Sequence, residues 1–201
     1  MTGLGVIILV LGAWIAGNQN FRTSSHTLNQ NLSISNATSS MGTLSLTSPA
    51  FENNASIPSK YTCDEDRTVS PPLDIAGVPE STKSLALIMD DPDVPKVRKP
   101  DGVFDHWIVF NLPAGRQALR IEEGRVPDGA VVGANGAGQN AYTGPCPPKE
   151  YEPSEHRYFF KLYGLDTVLD LPTGASKKDV ENAMQGHVIE QAQLIGKYKR
   201  K

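Results

Sequence analysis

Two short stretches, far apart in the 201-residue chain, hold the side chains best suited to chemistry. The first is Asp91-Pro92-Asp93-Val94-Pro95, followed by His106-Trp107; the second is Gly144-Pro145-Cys146-Pro147-Pro148, followed by His156-Arg157-Tyr158. Each sets proline turns beside an apolar run and brings an imidazole to the mouth of a strand. A carboxylate that accepts a hydrogen bond from one imidazole nitrogen fixes the tautomer, aims the other nitrogen away and favours the protonated ring. Two such rings would offer charge-assisted hydrogen bonds to a phosphate monoester, which carries about −1.5 to −2 at pH 7. Bare carboxylates facing that anion would repel it, so Asp91 and Asp93 are expected behind the imidazoles or against a ligand's ammonium group. Tyr158 adds a hydroxyl at the mouth. Pro92, Pro95, Pro147 and Pro148 fix φ and remove amide donors, giving stiff, partly apolar walls of the kind a small-ligand site needs. Taken singly, each residue also has a plain structural reading: a His beside an apolar run is commonly a satisfied structural residue, and Asp-Pro commonly ends a strand.

These side chains meet only if the strands carrying them run the right way. Lys83 to Met89 (KSLALIM) is a short apolar run stopped by Asp90-Asp91-Pro92 and reads as a buried strand. Trp107 to Phe110 (WIVF) reads as a second and Tyr158 to Leu165 (YFFKLYGL) as a third, dense in aromatics; Leu44 to Thr47 alternates as a strand does. Their spacing is too short and too proline-punctuated for βαβ units, which predicts a mixed, mainly β fold of antiparallel sheets. If both later strands run antiparallel to the first, Asp91 and Asp93 at a strand end meet His106 and His156 at strand starts. Further on, Ser176-Lys177-Lys178-Asp179 resembles a capping box, and Val180, Ala183, Met184, Val188, Ala192 and Ile195 keep helical spacing. That predicts one amphipathic C-terminal α-helix packed on the sheet, with Gly186 a weak point inside it. His187, on its apolar stripe, is expected at the core edge, satisfied by a backbone carbonyl.

Charge is spread unevenly. Between Met1 and Ala50 the only formally charged side chain is Arg22, and every Asp and Glu lies at Glu52 or beyond. Leu4 to Ala16 (LGVIILVLGAWIA) is apolar and has the size of a signal-peptide core, shorter than a comfortable span of about 20 residues. Residues 1–17 therefore read as a signal peptide or a short membrane anchor. Residues 18–43, mostly Ser, Thr, Asn and Gln, cannot repay ordering entropy by burial and read as a flexible tether. The folded domain is expected over 44–201, exported to a periplasmic or extracellular location. With 19 Lys+Arg against 22 Asp+Glu, a net charge of −3 argues against a nucleic-acid partner.

Other chemistries fit the pattern less well. Two His and two Asp could ligate zinc in a metal-dependent hydrolase, but the tight helical spacing of such ligands is absent. No Gly-x-Ser-x-Gly elbow exists. Gly136-x-Gly138-x-x-Ala141 matches a dinucleotide fingerprint formally, yet the prolines that follow leave no room for the helix it requires.

Taken together, the motifs resemble one family. Asp91-Pro92-Asp93-x-Pro95, His106-Trp107, Gly144-x-x-Pro147-Pro148 and His156-Arg157-Tyr158, in this order, are similar to the phosphatidylethanolamine-binding protein family, also called Raf-kinase-inhibitor-like proteins. Tyr61-Thr62-Cys63-Asp64, Ser70-Pro71-Pro72-Leu73, Gly77-Val78-Pro79 and Gly144-Pro145-Cys146-Pro147-Pro148 resemble its prokaryotic branch. The resemblance covers about Leu44 to Tyr198. It implies a mostly antiparallel β fold with a C-terminal helix and a small-anion pocket formed by Asp91, Asp93, His106, Pro148, His156 and Tyr158. It further implies a non-enzymatic binder of a phosphate-containing small molecule or phospholipid head group, without cofactor or metal, and a kinase or protease as protein partner. Arg157 is expected in a buried ion pair supporting the pocket. One departure is the link Lys149-Glu150-Tyr151-Glu152-Pro153-Ser154-Glu155, whose three Glu could disfavour anions or select cationic head groups. Cys63 and Cys146 are the only cysteines. In an exported domain a disulfide between them would pin an N-terminal loop to the pocket wall; two buried thiols, or a reactive Cys146, are the alternatives.

Overall fold

The computed structural model describes residues 43–115 and 118–201. Residues 1–17, expected to form a signal peptide or anchor, and all but Thr43 of the expected tether over 18–43 lie outside the described residues. In chain order the described elements are β1 (Ser45–Thr47), β2 (Leu73–Ala76), β3 (Ser84–Asp91), β4 (Phe104–Pro113), β5 (Ala118–Ile121), β6 (Val131–Val132), β7 (Glu155–Leu165), α1 (Lys177–Met184) and β8 (Val188–Lys199). They form a three-stranded sheet in the order β1-β2-β5 and a five-stranded sheet in the order β6-β4-β3-β7-β8. Every named pairing is antiparallel.

β3 is buried at every position, which is why its sequence is an unbroken apolar run rather than an alternation. Leu85, Leu87 and Met89 share one core with Trp107, Val109, Tyr158 and Phe160, and with Leu46, Leu73, Ile75 and Ile121 of the smaller sheet. Ala86 and Ile88 face the other way, into a second core with Ile108, Phe110, Val180 and Met184. Side chains such as Trp107 and Phe160, at 1 % and 0 % exposure, each contribute about 2–3 kcal/mol of burial free energy. The alternation continues to the strand end. Asp90 points to the helix side, where its Oδ2 accepts from Lys161 Nζ at 2.7 Å and Lys177 Nζ at 2.6 Å, while Asp91 points to the opposite face. Two adjacent carboxylates thus serve separate ends: the first anchors α1 to the sheet, the second is free for the site.

The C-terminal expectation needs correction. The capping box forms, with Ser176 Oγ accepting from Asp179 N and the Asp179 carboxylate accepting from Ser176 N, and α1 packs on the sheet through Val180 and Met184. The helix stops at Met184, however, and Val188, Ala192 and Ile195 belong to β8. Gly186 adopts φ +79°, a left-handed conformation that reverses the chain, so it is the stop signal rather than a weak point within a helix. Leu194, Gly196 and Tyr198 are buried in strict alternation, the period of a strand. His187 is about half exposed, with Nδ1 2.8 Å from Asp166 Oδ1, and is not a core-edge residue bound to a carbonyl. The two arrangements make opposite predictions for Gly186→Ala. A continuous helix would gain about 1 kcal/mol, whereas the left-handed turn makes the substitution cost about 1–2 kcal/mol. Chemical denaturation should show a lowered midpoint.

Candidate functional site

The antiparallel arrangement brings the end of β3 beside the starts of β4 and β7. Asp91 pairs with Phe104 in β4, and Asp90 with Phe159 in β7. A cavity of about 660 Å³ opens at this edge, and Asp91, His106, Pro148 and His156 all line it. The four come from segments up to 65 residues apart, so the convergence is a property of the sheet.

His156 is 1 % exposed and its Nδ1 lies 2.7 Å from Asp91 Oδ2. Asp91 Oδ1 accepts from Asp93 N at 2.8 Å, so the carboxylate is held from both sides. A carboxylate in this position accepts a hydrogen bond from Nδ1–H, which leaves Nε2 as the second ring nitrogen, and Nε2 is buried with no hydrogen-bond partner among the described residues. Buried polar atoms are almost always satisfied, so this nitrogen holds unused hydrogen-bonding capacity beside the cavity.

His106 reaches the same cavity through an irregularity. The register of β3 against β4 shifts between Met89, opposite Trp107, and Asp90, opposite Asp105. His106 is the extra residue of this bulge, and the bulge turns its ring toward Tyr158, centroids 5.1 Å apart, instead of onto the helix side with Ile108. The ring is wedged edge-on between Tyr158 and Phe104, whose centroid is 4.8 Å away. Its Nδ1 lies 2.6 Å from the carbonyl oxygen of Thr143. A carbonyl only accepts, so Nδ1 carries the proton and Nε2 is bare in the neutral ring. The loop 133–144 supplies that carbonyl by tracking β4, with Gly133 N donating to Ile108 O, Gly136 N to Asp105 O and Thr143 N to His106 O. Burial pushes the His106 pKa below its ordinary value, against the opposing pull of the Thr143 hydrogen bond and Asp91.

A sequence model of the phosphatidylethanolamine-binding protein family matches residues 47–199. A UPF0098 protein of Methanothermobacter thermautotrophicus is 51 % identical over 160 residues, 78 % of this chain and 99 % of the relative. The chain belongs to the phosphatidylethanolamine-binding protein family. A UPF0098 protein of Pyrococcus horikoshii is 45 % identical over 161 residues, 77 % of this chain and 76 % of the relative. Among solved structures, a phosphatidylethanolamine-binding protein homologue from Chlamydia trachomatis superposes with a TM-score of 0.72 at 42 % identity, covering 80 % of this chain and 99 % of that one. E. coli YbcL, described as a new member of the mammalian PEBP family, gives 0.68 at 29 % identity, covering 79 % and 99 %.

Within this family member, three expected positions sit differently from the sequence reading. Asp93 does not stand behind an imidazole. Its Oδ2 accepts from Arg157 N at 2.9 Å and Nε at 2.8 Å, and its Oδ1 from Arg157 Nη2 at 2.6 Å, and the side-chain hydrogen bond from Arg157 holds the Asp93 pKa down. Arg157 makes the expected ion pair, but its side chain is 52 % exposed, so the pair is a surface clamp at the start of β7 and not a buried one. Tyr158 is fully buried behind both imidazoles, its hydroxyl unpartnered, and is a backing wall rather than a hydroxyl at the mouth. Burial, with the nearby Asp91 charge, drives its pKa upward.

The cavity also uses residues that sequence reasoning passed over. Arg67, Arg98, Lys99 and Arg200 line it, against Asp91 and Glu150 as acidic members. Of the three Glu in the 149–155 link, then, only Glu150 reaches the cavity, and the lining is cationic. Arg67 is oriented by the Thr143 hydroxyl, which accepts from its Nη2 at 2.7 Å. Arg200 is brought to the rim by β8, whose end is tied to Asp64 through the Tyr198 hydroxyl and Lys201 N. Beside Asp64, Cys63 is bonded to Cys146, and Cys63 N donates to Pro145 O at 3.0 Å. The bridge closes 83 residues, worth about 4–5 kcal/mol at most in the chain-entropy picture, and it fastens the Pro147-Pro148 wall to the 59–67 loop. Gly144 lets the two approach: a Cβ there would strike Tyr61 O. Among the described residues, no group of three or more His, Cys, Asp or Glu could hold a metal ion.

The depressed His106 pKa has a thermodynamic consequence. The unfolded chain takes up a proton at this residue near pH 6.5, while the native ring resists it. The native state therefore binds fewer protons, and this contribution is complete above about pH 6.5 and lost as pH falls toward the native pKa. Scanning calorimetry of the ligand-free protein should show the melting temperature falling from pH 7.5 to 5.5, with a shallower fall in His106→Asn. Equal slopes for the two proteins would contradict the neutral, buried ring.

Proposed function

We propose that the protein is a non-enzymatic binding protein whose cavity holds a small anion of the phosphate type, carried by a small molecule or a phospholipid head group. The observation that carries this reading is His156 Nε2, a buried nitrogen without a partner at the end of the Asp91 relay, in a cavity lined by four cationic side chains. Asp91 holds the His156 ring by Nδ1, so Nε2 is the nitrogen left to donate to an anion. The cationic rim attracts the anion and adds charge-assisted contacts. The disulfide supports an oxidising compartment, and with it the proposal that the chain is exported, either cleaved after or anchored by residues 1–17. A metal-dependent hydrolase finds no support in the placement of the His and Asp side chains.

Nε2 of His156 can donate to an anion only when it carries a proton, so affinity should weaken as pH rises from about 6 to 8. Titration calorimetry of the full chain with inorganic phosphate should show this trend, and His156→Ala should weaken binding roughly ten- to hundredfold, the loss of one charged hydrogen bond. Absence of binding at both pH values, or an affinity indifferent to His156→Ala, would overturn the reading.

A further inference from the structure

We infer that the cavity selects a phosphate that still carries an ionisable proton, a phosphomonoester, over a phosphodiester or sulfate, because His106 Nε2 accepts the ligand's own P–OH. This rests on the anion-binding reading above and narrows it: the small-molecule monoester is favoured over the diester phosphate of a phospholipid head group.

The His106 ring is held in one orientation. Nδ1 of His106 donates to Thr143 O at 2.6 Å, and Thr143 is itself fixed by its amide on His106 O at 3.0 Å and by Arg67 on its hydroxyl at 2.7 Å. Phe104 and Tyr158 press on the ring at centroid distances of 4.8 Å and 5.1 Å. A ring flip would set a bare nitrogen against a carbonyl oxygen inside a packed wall, at the cost of an unsatisfied buried pair. The charged groups facing His106 divide. Asp91 on β3 and Asp105 on β4 favour a charged ring, Arg67 from the facing loop disfavours it, and desolvation outweighs them all.

His106 Nε2 therefore enters the cavity as an acceptor, and His156, backed by Asp91 on Nδ1, enters as the group that becomes a donor when protonated. Asp93 also bears on His156, but it is held by Arg157. One acceptor and one donor match R–O–PO₂(OH)⁻, whose hydroxyl points to His106 and whose charged oxygen points to His156. A diester has no hydroxyl to give. Sulfate has none at neutral pH, so its oxygens would face the His106 lone pair directly. A monoester, with its second pKa near 6, is mostly dianionic at pH 7.5 and gains its proton from solvent on binding, so binding takes up protons.

The test is titration calorimetry of the full chain at pH 7.5 with methyl phosphate, dimethyl phosphate and sulfate, each in two buffers of different ionisation enthalpy. The expected result is methyl phosphate bound roughly tenfold or more tightly than either competitor, with a heat that changes between buffers and reports net proton uptake. His106→Gln, whose amide can donate as well as accept, should erase most of that preference. Dimethyl phosphate or sulfate bound as tightly as methyl phosphate would overturn the inference, as would a buffer-independent heat, and both are read on the wild-type protein whether or not the variant folds. Failure to bind any of the three would instead overturn the anion-binding reading, and this inference with it.

Discussion

Both imidazoles at the cavity spend Nδ1 on a fixed oxygen, and this wiring decides what the cavity can do. For His156 the oxygen belongs to the Asp91 carboxylate, a full negative charge; for His106 it is a main-chain carbonyl, which sets the tautomer without supplying one. Two residues of the same type are thereby made unlike. The difference comes from the backbone: Asp91 is presented by the alternation of β3, and Thr143 is delivered by a loop that hydrogen-bonds along β4.

The rest of the fold keeps that wiring rigid. The central strand is buried on both faces, so its end cannot shift without disturbing two cores. Asp90 ties the same strand end to Lys161 and Lys177, on the face away from the cavity. The Cys63–Cys146 bridge holds the proline wall against the loop that carries Arg67. Stiffness of this kind lowers the ordering cost of binding, which matters most for a small ligand with few contacts to offer.

Much of this was legible in the sequence, for identifiable reasons. The apolar run from Leu85 to Met89 and the short, proline-punctuated spacing pointed to antiparallel strands, and from these followed the meeting of Asp91, His106 and His156. The family motifs pointed to the same fold. What escaped depends on geometry that period and spacing do not encode. His106 and Trp107 are adjacent yet both turn away from the helix side because a bulge intervenes, and a strict alternation would have sent one of them there. Val188, Ala192 and Ile195 satisfy helical spacing as well as they sit in β8, and only the left-handed Gly186 separates the two readings. Arg67, Arg98, Lys99 and Arg200 come from three separate segments and resemble ordinary surface cations until the fold gathers them. Asp93, expected behind an imidazole or against a ligand's ammonium group, is instead taken by Arg157, which is adjacent to His156 in sequence and forms the better-matched fork.

The central claim concerns where the protons sit, and nitrogen-15 NMR of the imidazole rings reads this directly. In the ligand-free protein at pH 7.5, His106 should show a protonated Nδ1 and an unprotonated Nε2, with no conversion to imidazolium down to pH values below the ordinary histidine pKa of about 6.5. A His106 found protonated on Nε2, or already an imidazolium at that pH, would contradict the account.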